Sequence, residues 1–181
     1  IKEIEAPQTG CWISVVEPTE EEIYALIDDY NLDSGFVKSS LDEEESSRIE
    51  KEDDQTLIII DTPVSSVDND ETLFFYTLPI GIILTEDYVF TISSKSTRIV
   101  SEAMNGSIRN LATQMKTRFV LQLLLRITTL FLFYLKQIEK TSSMAEQGLH
   151  NAMQNKLLMQ LLELEKSLVY FTTSLKADDI L

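Results

Sequence analysis

Residues 119–135 read FVLQLLLRITTLFLFYL, with Lys116 and Arg118 before them and Lys136 and Lys140 after. Whether this stretch crosses a membrane or lies inside a folded bundle decides the architecture. Its 17 residues sit at the short end of the roughly 17–25 that span a bilayer. Arg126 stands at its middle, where an arginine costs about 2.5–3.5 kcal/mol on the insertion scale, against about −0.3 to −0.6 for each Leu, Ile, Phe or Val. Gln122, Thr128 and Thr129 weaken insertion further. A helix apolar on most sides also suits the interior of a bundle, and the balance favours burial against a second helix, a sheet or a neighbouring subunit.

Working outward, the stretch lies within a proline-free half of the chain. All four prolines (Pro7, Pro18, Pro63, Pro79) precede residue 95, and beyond it only Gly106 and Gly148 interrupt. This predicts long helices over 109–146 and 149–177, parted near Gln147-Gly148, with a short helix from Thr97 to about Met104 closed by Asn105-Gly106. At 1.5 Å per residue the first long helix measures roughly 55 Å, more than a small domain needs for its own core.

The first half alternates short elements instead. Trp12 to Val16 reads as a strand. Thr19 and Glu22 have capping-box spacing, and Ile23, Leu26, Ile27 and Tyr30 form the stripe of the helix that follows. A second, acidic helix is expected over 37–45. Leu57-Ile58-Ile59-Ile60 reads as a buried strand within 56–62, stopped by Pro63, and 64–71 as a polar loop. Strands at 73–78, 80–84 and 88–93 follow, the last two joined by a turn at Glu86-Asp87. The expected fold class is α+β: a small mixed β-sheet packed between helices (αβα), followed by a long antiparallel helical hairpin. The expected domains are 1–96, the αβ part, and 97–181, the helical region.

The net charge of −15 over 181 residues is lopsided: residues 1–71 carry 21 Asp and Glu against 4 Lys and Arg, the remainder 9 against 11. So acidic a first half argues against nucleic acid and against docking on an anionic lipid surface. It is compatible with attracting cations, although a solvated face that aids solubility is the simpler account. The single cysteine, Cys11, excludes an intramolecular disulfide and a thiolate cluster, and suits a reducing compartment. The chain opens on Glu3 and Glu5, not on the basic stretch of a signal peptide.

Catalytic patterns are missing: there is no glycine-rich phosphate loop and no nucleophile elbow. The lone His150 has no second His or Cys at ligand spacing. Carboxylates are abundant but unspecific, so an enzyme is not expected, and a carboxylate-only hydrolase ranks last.

Four stretches carry a family resemblance. Gly10-Cys11-Trp12-Ile13 with Glu17-Pro18-Thr19-Glu20-Glu21-Glu22-Ile23 resembles the opening of CorA-type cytoplasmic domains. Leu41-Asp42-Glu43-Glu44-Glu45-Ser46-Ser47-Arg48-Ile49-Glu50 resembles their acidic helix end and Arg-x-Glu element. Residues 77–84 with Tyr88-Val89-Phe90-Thr91 resemble their last two strands, and residues 164–176 the second arm of their helical hairpin. In order, these cover essentially the whole chain.

The resemblance implies the cytoplasmic part of a homopentameric channel for hydrated Mg2+, with Co2+ and Ni2+ as alternatives, gated by intracellular Mg2+ and placed on the cytoplasmic face of the plasma membrane, in a bacterium. It also implies a stalk helix and two membrane spans, the first ending in Gly-Met-Asn, a signature that does not occur in this sequence. Mg2+ or Co2+ is then the transported and regulatory ion, with no organic cofactor. The family's regulatory site pairs a carboxylate of the αβ domain with one on a neighbouring stalk. The corresponding loop here makes Asp68, Asp70 and Glu71 the candidate half-site, because Mg2+ takes oxygen ligands and keeps several waters. A polar turn explains Asp68-Asn69-Asp70 as well. Asp42, Glu43, Glu44 and Glu45 are a secondary acidic cluster, read mainly as a solvated helix face. Alternatives are a Zn2+-specialised transporter of the same family and a soluble helical-hairpin interaction module without membrane spans.

Overall fold

The computed structural model describes residues 3–67, 72–148, 154–179 and 181. In chain order the elements are β1 (Trp12–Val16), α1 (Glu20–Asp28), α2 (Ser34–Leu41), β2 (Arg48–Glu52), β3 (Gln55–Val67), β4 (Leu73–Leu84), β5 (Val89–Ser93), α3 (Arg98–Met104), α4 (Lys116–Gly148) and α5 (Gln154–Asp178). One five-stranded sheet runs β1-β5-β4-β3-β2. β1 pairs parallel with β5, and the other pairs are antiparallel.

The apolar run of β3 has no polar alternation because both faces of the sheet are covered. Leu57 and Ile59 face one way, with Ile83, Phe90 and Ile92, against Leu26 of α1, Leu32 between the helices, and Phe36 and Val37 of α2. Ile58 and Ile60 face the other, with Ile80 and Ile82, against α3, α4 and α5. The result is the expected αβα layering. α4 buries Phe119, Val120, Leu123, Ile127, Leu130, Phe131, Tyr134 and Ile138, a single stripe at helical spacing. Its 30 residues from Lys116 to Ala145 are long and apolar enough to cross a membrane, yet this stripe packs on the sheet.

The charge at the centre of α4 is matched within the fold. Arg126 donates from Nε and Nη2 to the two carboxylate oxygens of Glu102 on α3, at 2.5 and 2.8 Å. Arg98 adds a third bond to Glu102 at 2.8 Å and lies over the Phe133 ring at 5.0 Å. Glu102 is buried, so the paired guanidinium groups compensate its desolvation.

Several boundaries depart from expectation. Neither Pro63 nor Pro79 ends a strand: β3 runs through Pro63 for 13 residues, and β4 runs through Pro79 for 12, merging two expected strands. β2 pairs with β3 only up to Ile59, and β5 with β4 only from Gly81. Both prolines therefore stand on free edges, where a missing N–H costs no ladder bond. The fifth strand is β2, absent from the expected set because its charged sequence RIEKE is mostly exposed. It is a short charged edge, of the kind that blocks edge-to-edge pairing.

The second helix starts and stops earlier than the expected 37–45. Asp33 caps it by accepting from Phe36 N at 2.9 Å. Asp42 turns extended and accepts from Glu44 N, ending it. α4 begins at Lys116 rather than 109, after Asn110 adopts φ +58, and it continues through Gly148. Gly81 allows α2 to approach β4: a Cβ there would overlap the Ser40 side chain.

Candidate metal centre

Asp68, Asp70 and Glu71 lie outside the described residues. The strand ends that flank them, Val67 and Leu73, are paired at the end of the β3–β4 ribbon.

The secondary acidic cluster is not a helix face, because Asp42 to Glu45 follow α2 in a turn. Nor do its carboxylates converge. Glu43 pairs with Lys95 at 2.7 Å and accepts from Ser94 Oγ at 3.0 Å. These contacts hold its carboxyl below the usual range, the Lys95 bond first. Glu45 pairs with Arg48 at 2.7 Å, and Arg48 also holds Glu50 at 2.9 Å. Among the described residues no group of three or more His, Cys, Asp and Glu side chains could hold a metal ion. Cys11 is a half-buried free thiol, and His150 lies outside the described residues.

A different acidic pair is brought together at the last turn of α5. The buried serines of this helix serve the exposed edges of the ribbon. Ser167 Oγ accepts from Phe75 N at 2.9 Å, and Ser174 Oγ bonds Thr77 Oγ1 at 2.7 Å. Asp178 Oδ1 accepts from Ser47 Oγ at 2.6 Å and from Asp61 N at 3.3 Å. The Ser174 hydroxyl acts on the Asp61 carboxylate against the effect of burial. Burial raises both carboxyls: Asp61 upward in direction, Asp178 to about 6, with the charge of Asp61 adding to the second. Sequence reading missed this pair. Asp61 follows an apolar run like any strand-end residue, and nothing in the chain announces a partner 117 positions away.

The family model described as "CorA-like Mg2+ transporter protein" matches residues 7–180. The chain belongs to the CorA-like family. It is 27% identical over 176 residues to the cobalt/magnesium transport protein CorA of Methanocaldococcus jannaschii, a match covering 92% of this chain and 52% of that protein. The chain thus spans about half the length of its curated CorA relative. Its fold is similar to the soluble domain of CorA from the same organism, with a TM-score of 0.79 and 26% identity over 92% of this chain and 66% of that one. Against the complete CorA magnesium transporter structure the TM-score is 0.73 at 25% identity, covering 92% of this chain and 52% of that one. The ZntB cytoplasmic domain of Vibrio parahaemolyticus has a TM-score of 0.66 at 14% identity, covering 92% of this chain and 64% of that one, and shares the fold alone.

Proposed function

We propose that this chain is the cytoplasmic, metal-sensing part of a Mg2+ and Co2+ transporter, acting as a regulator and neither conducting ions nor catalysing a reaction. The likeness to the soluble domain of CorA, over 92% of the chain, carries the reading. The whole protein is then a homopentamer held in the membrane by spans outside this stretch, with its sensing domains on the cytoplasmic side. Asp68, Asp70 and Glu71 supply one half of a site between subunits. Mg2+ held between two subunits favours the closed assembly, because it bridges acidic surfaces that repel when the ion leaves. Each site needs only one or two carboxylates, since Mg2+ keeps most of its waters.

With half of each site on this chain, Mg2+ and Co2+ bind it in the millimolar range. Titration calorimetry tests this, and stoichiometric submicromolar binding of Mg2+ would contradict it. In the whole protein, flux of Mg2+ and Co2+ in preference to Zn2+ is expected; a Zn2+-selective flux would overturn the assignment of the ion.

A further inference from the structure

We propose that Asp61 and Asp178 form a proton-operated latch, in which one retained proton holds the last turn of α5 on the free edge of β3. Three segments distant in the chain meet there: Ser47 just before β2, Asp61 in β3, and Ser174 with Asp178 on α5. Their donors are few. Asp178 has one hydroxyl and one backbone N–H, and Asp61 has the Ser174 hydroxyl, itself bonded to Thr77 Oγ1 of β4. Two carboxylates offer more acceptor positions than these donors fill, and a proton on either one supplies a further donor.

Among the described residues no cation lies within ion-pair distance of either carboxylate. On β2 the guanidinium of Arg48 is engaged by Glu45 and Glu50. From α5 itself, Lys176 and Asp179 are exposed. Burial is the first cause of the rise at both carboxyls, and the charge of Asp61 adds to it at Asp178, so the neutral form is favoured there. A carboxyl raised above its ordinary 3.8 to about 6 contributes stability that is complete below 3.8 and lost as pH rises through about 6. Acid closes the latch and neutral pH strains it, the opposite of the usual salt-bridged carboxylate.

Carboxyl 13C NMR titration of the chain, from about pH 4 to 8, should show one aspartate of the pair with a midpoint near 6, well above the ordinary range. Opening of the last turn of α5, read from amide exchange corrected for its intrinsic pH dependence, should rise roughly tenfold across that window, the full shift being discounted for partial exposure. In Asp178→Asn the rise should disappear, and in Asp61→Asn it should shrink as the Asp178 midpoint falls, whereas a purely structural role would displace the whole profile and leave its slope. Both carboxyls titrating near 3.8, or an unchanged slope in Asp178→Asn, would overturn the latch. Should the asparagine variants fail to fold, the wild-type NMR midpoint decides alone.

Discussion

Glu102 and Gly81 are the positions where a single atom group decides most. Glu102 is buried between Arg98 and Arg126, so Glu102→Ala leaves two guanidinium groups unpaired beside an apolar helix. A loss of about 2 kcal/mol is expected in denaturant unfolding, less than the roughly 3–5 of a fully buried broken pair because the arginines keep partial access to water. The Arg126 bond, followed by that of Arg98, holds the Glu102 carboxyl below its ordinary 4.5. Its contribution is therefore in place above that value and is lost as pH falls through its lowered native range. Comparing the acid limb of the stability curve in wild type and Glu102→Gln checks the sign; equal acid limbs would contradict it. At Gly81 an added methyl group meets Ser40, and Gly81→Ala should cost about 3 kcal/mol through forced repacking of α2. Adding Ser40→Gly should recover part of that loss, which a strain confined to β4 would not allow.

α4 shows how far periodicity alone can be trusted. Its stripe from Phe119 to Ile138 is buried, while Leu121, Leu125 and Leu132 are exposed on the other side. In this chain Leu125→Glu should change stability by no more than about 0.5 kcal/mol, and Leu130→Glu should abolish cooperative unfolding. Circular dichroism melts separate the two, and a severe loss from Leu125→Glu would contradict the packing described. The helical half, the buried strand at Leu57 to Ile60 and the Thr19–Glu22 capping box were legible because each depends on local periodicity or spacing. The strand boundaries were not. Pro63 and Pro79 read as terminators until pairing shows that their N–H positions face free edges. β2 hid in a charged run, because an edge strand buries too little to show an apolar pattern. The acidic stretch 42–45 read as a helix face because Asp42 can continue a helix or end it; its side chain ends it through Glu44 N. The metal-binding half-site rests on resemblance alone, and the Asp61–Asp178 pair lies beyond local reading, since only folding brings its halves together.

At the scale of the whole molecule, a sheet covered on both faces has α5 against the β3–β4 ribbon, with Asp178 bonded to the backbone of Asp61. Phe131 and Phe171 meet at 5.1 Å between the two long helices, and Phe75 touches Phe171 and Tyr134. This aromatic contact joins the helices to the ribbon whose last described pair is Val67 and Leu73. Phe171→Ala should cost about 3–5 kcal/mol in chemical denaturation; a loss below 1 kcal/mol, on the order of a surface substitution, would contradict a shared core. The net charge of −15 is compatible with metal attraction, but Glu43 and Glu45 are already paired with Lys95 and Arg48. The proposed half-site is residues 68–71. The most direct measurement is amide NMR of the chain titrated with Mg2+. Saturable shifts at residues 68–71 in the millimolar range, lost in Asp68→Asn/Asp70→Asn and leaving 42–45 unmoved, are predicted. Shifts confined to 42–45, or none at residues 68–71, would contradict the assignment of this chain as a metal sensor.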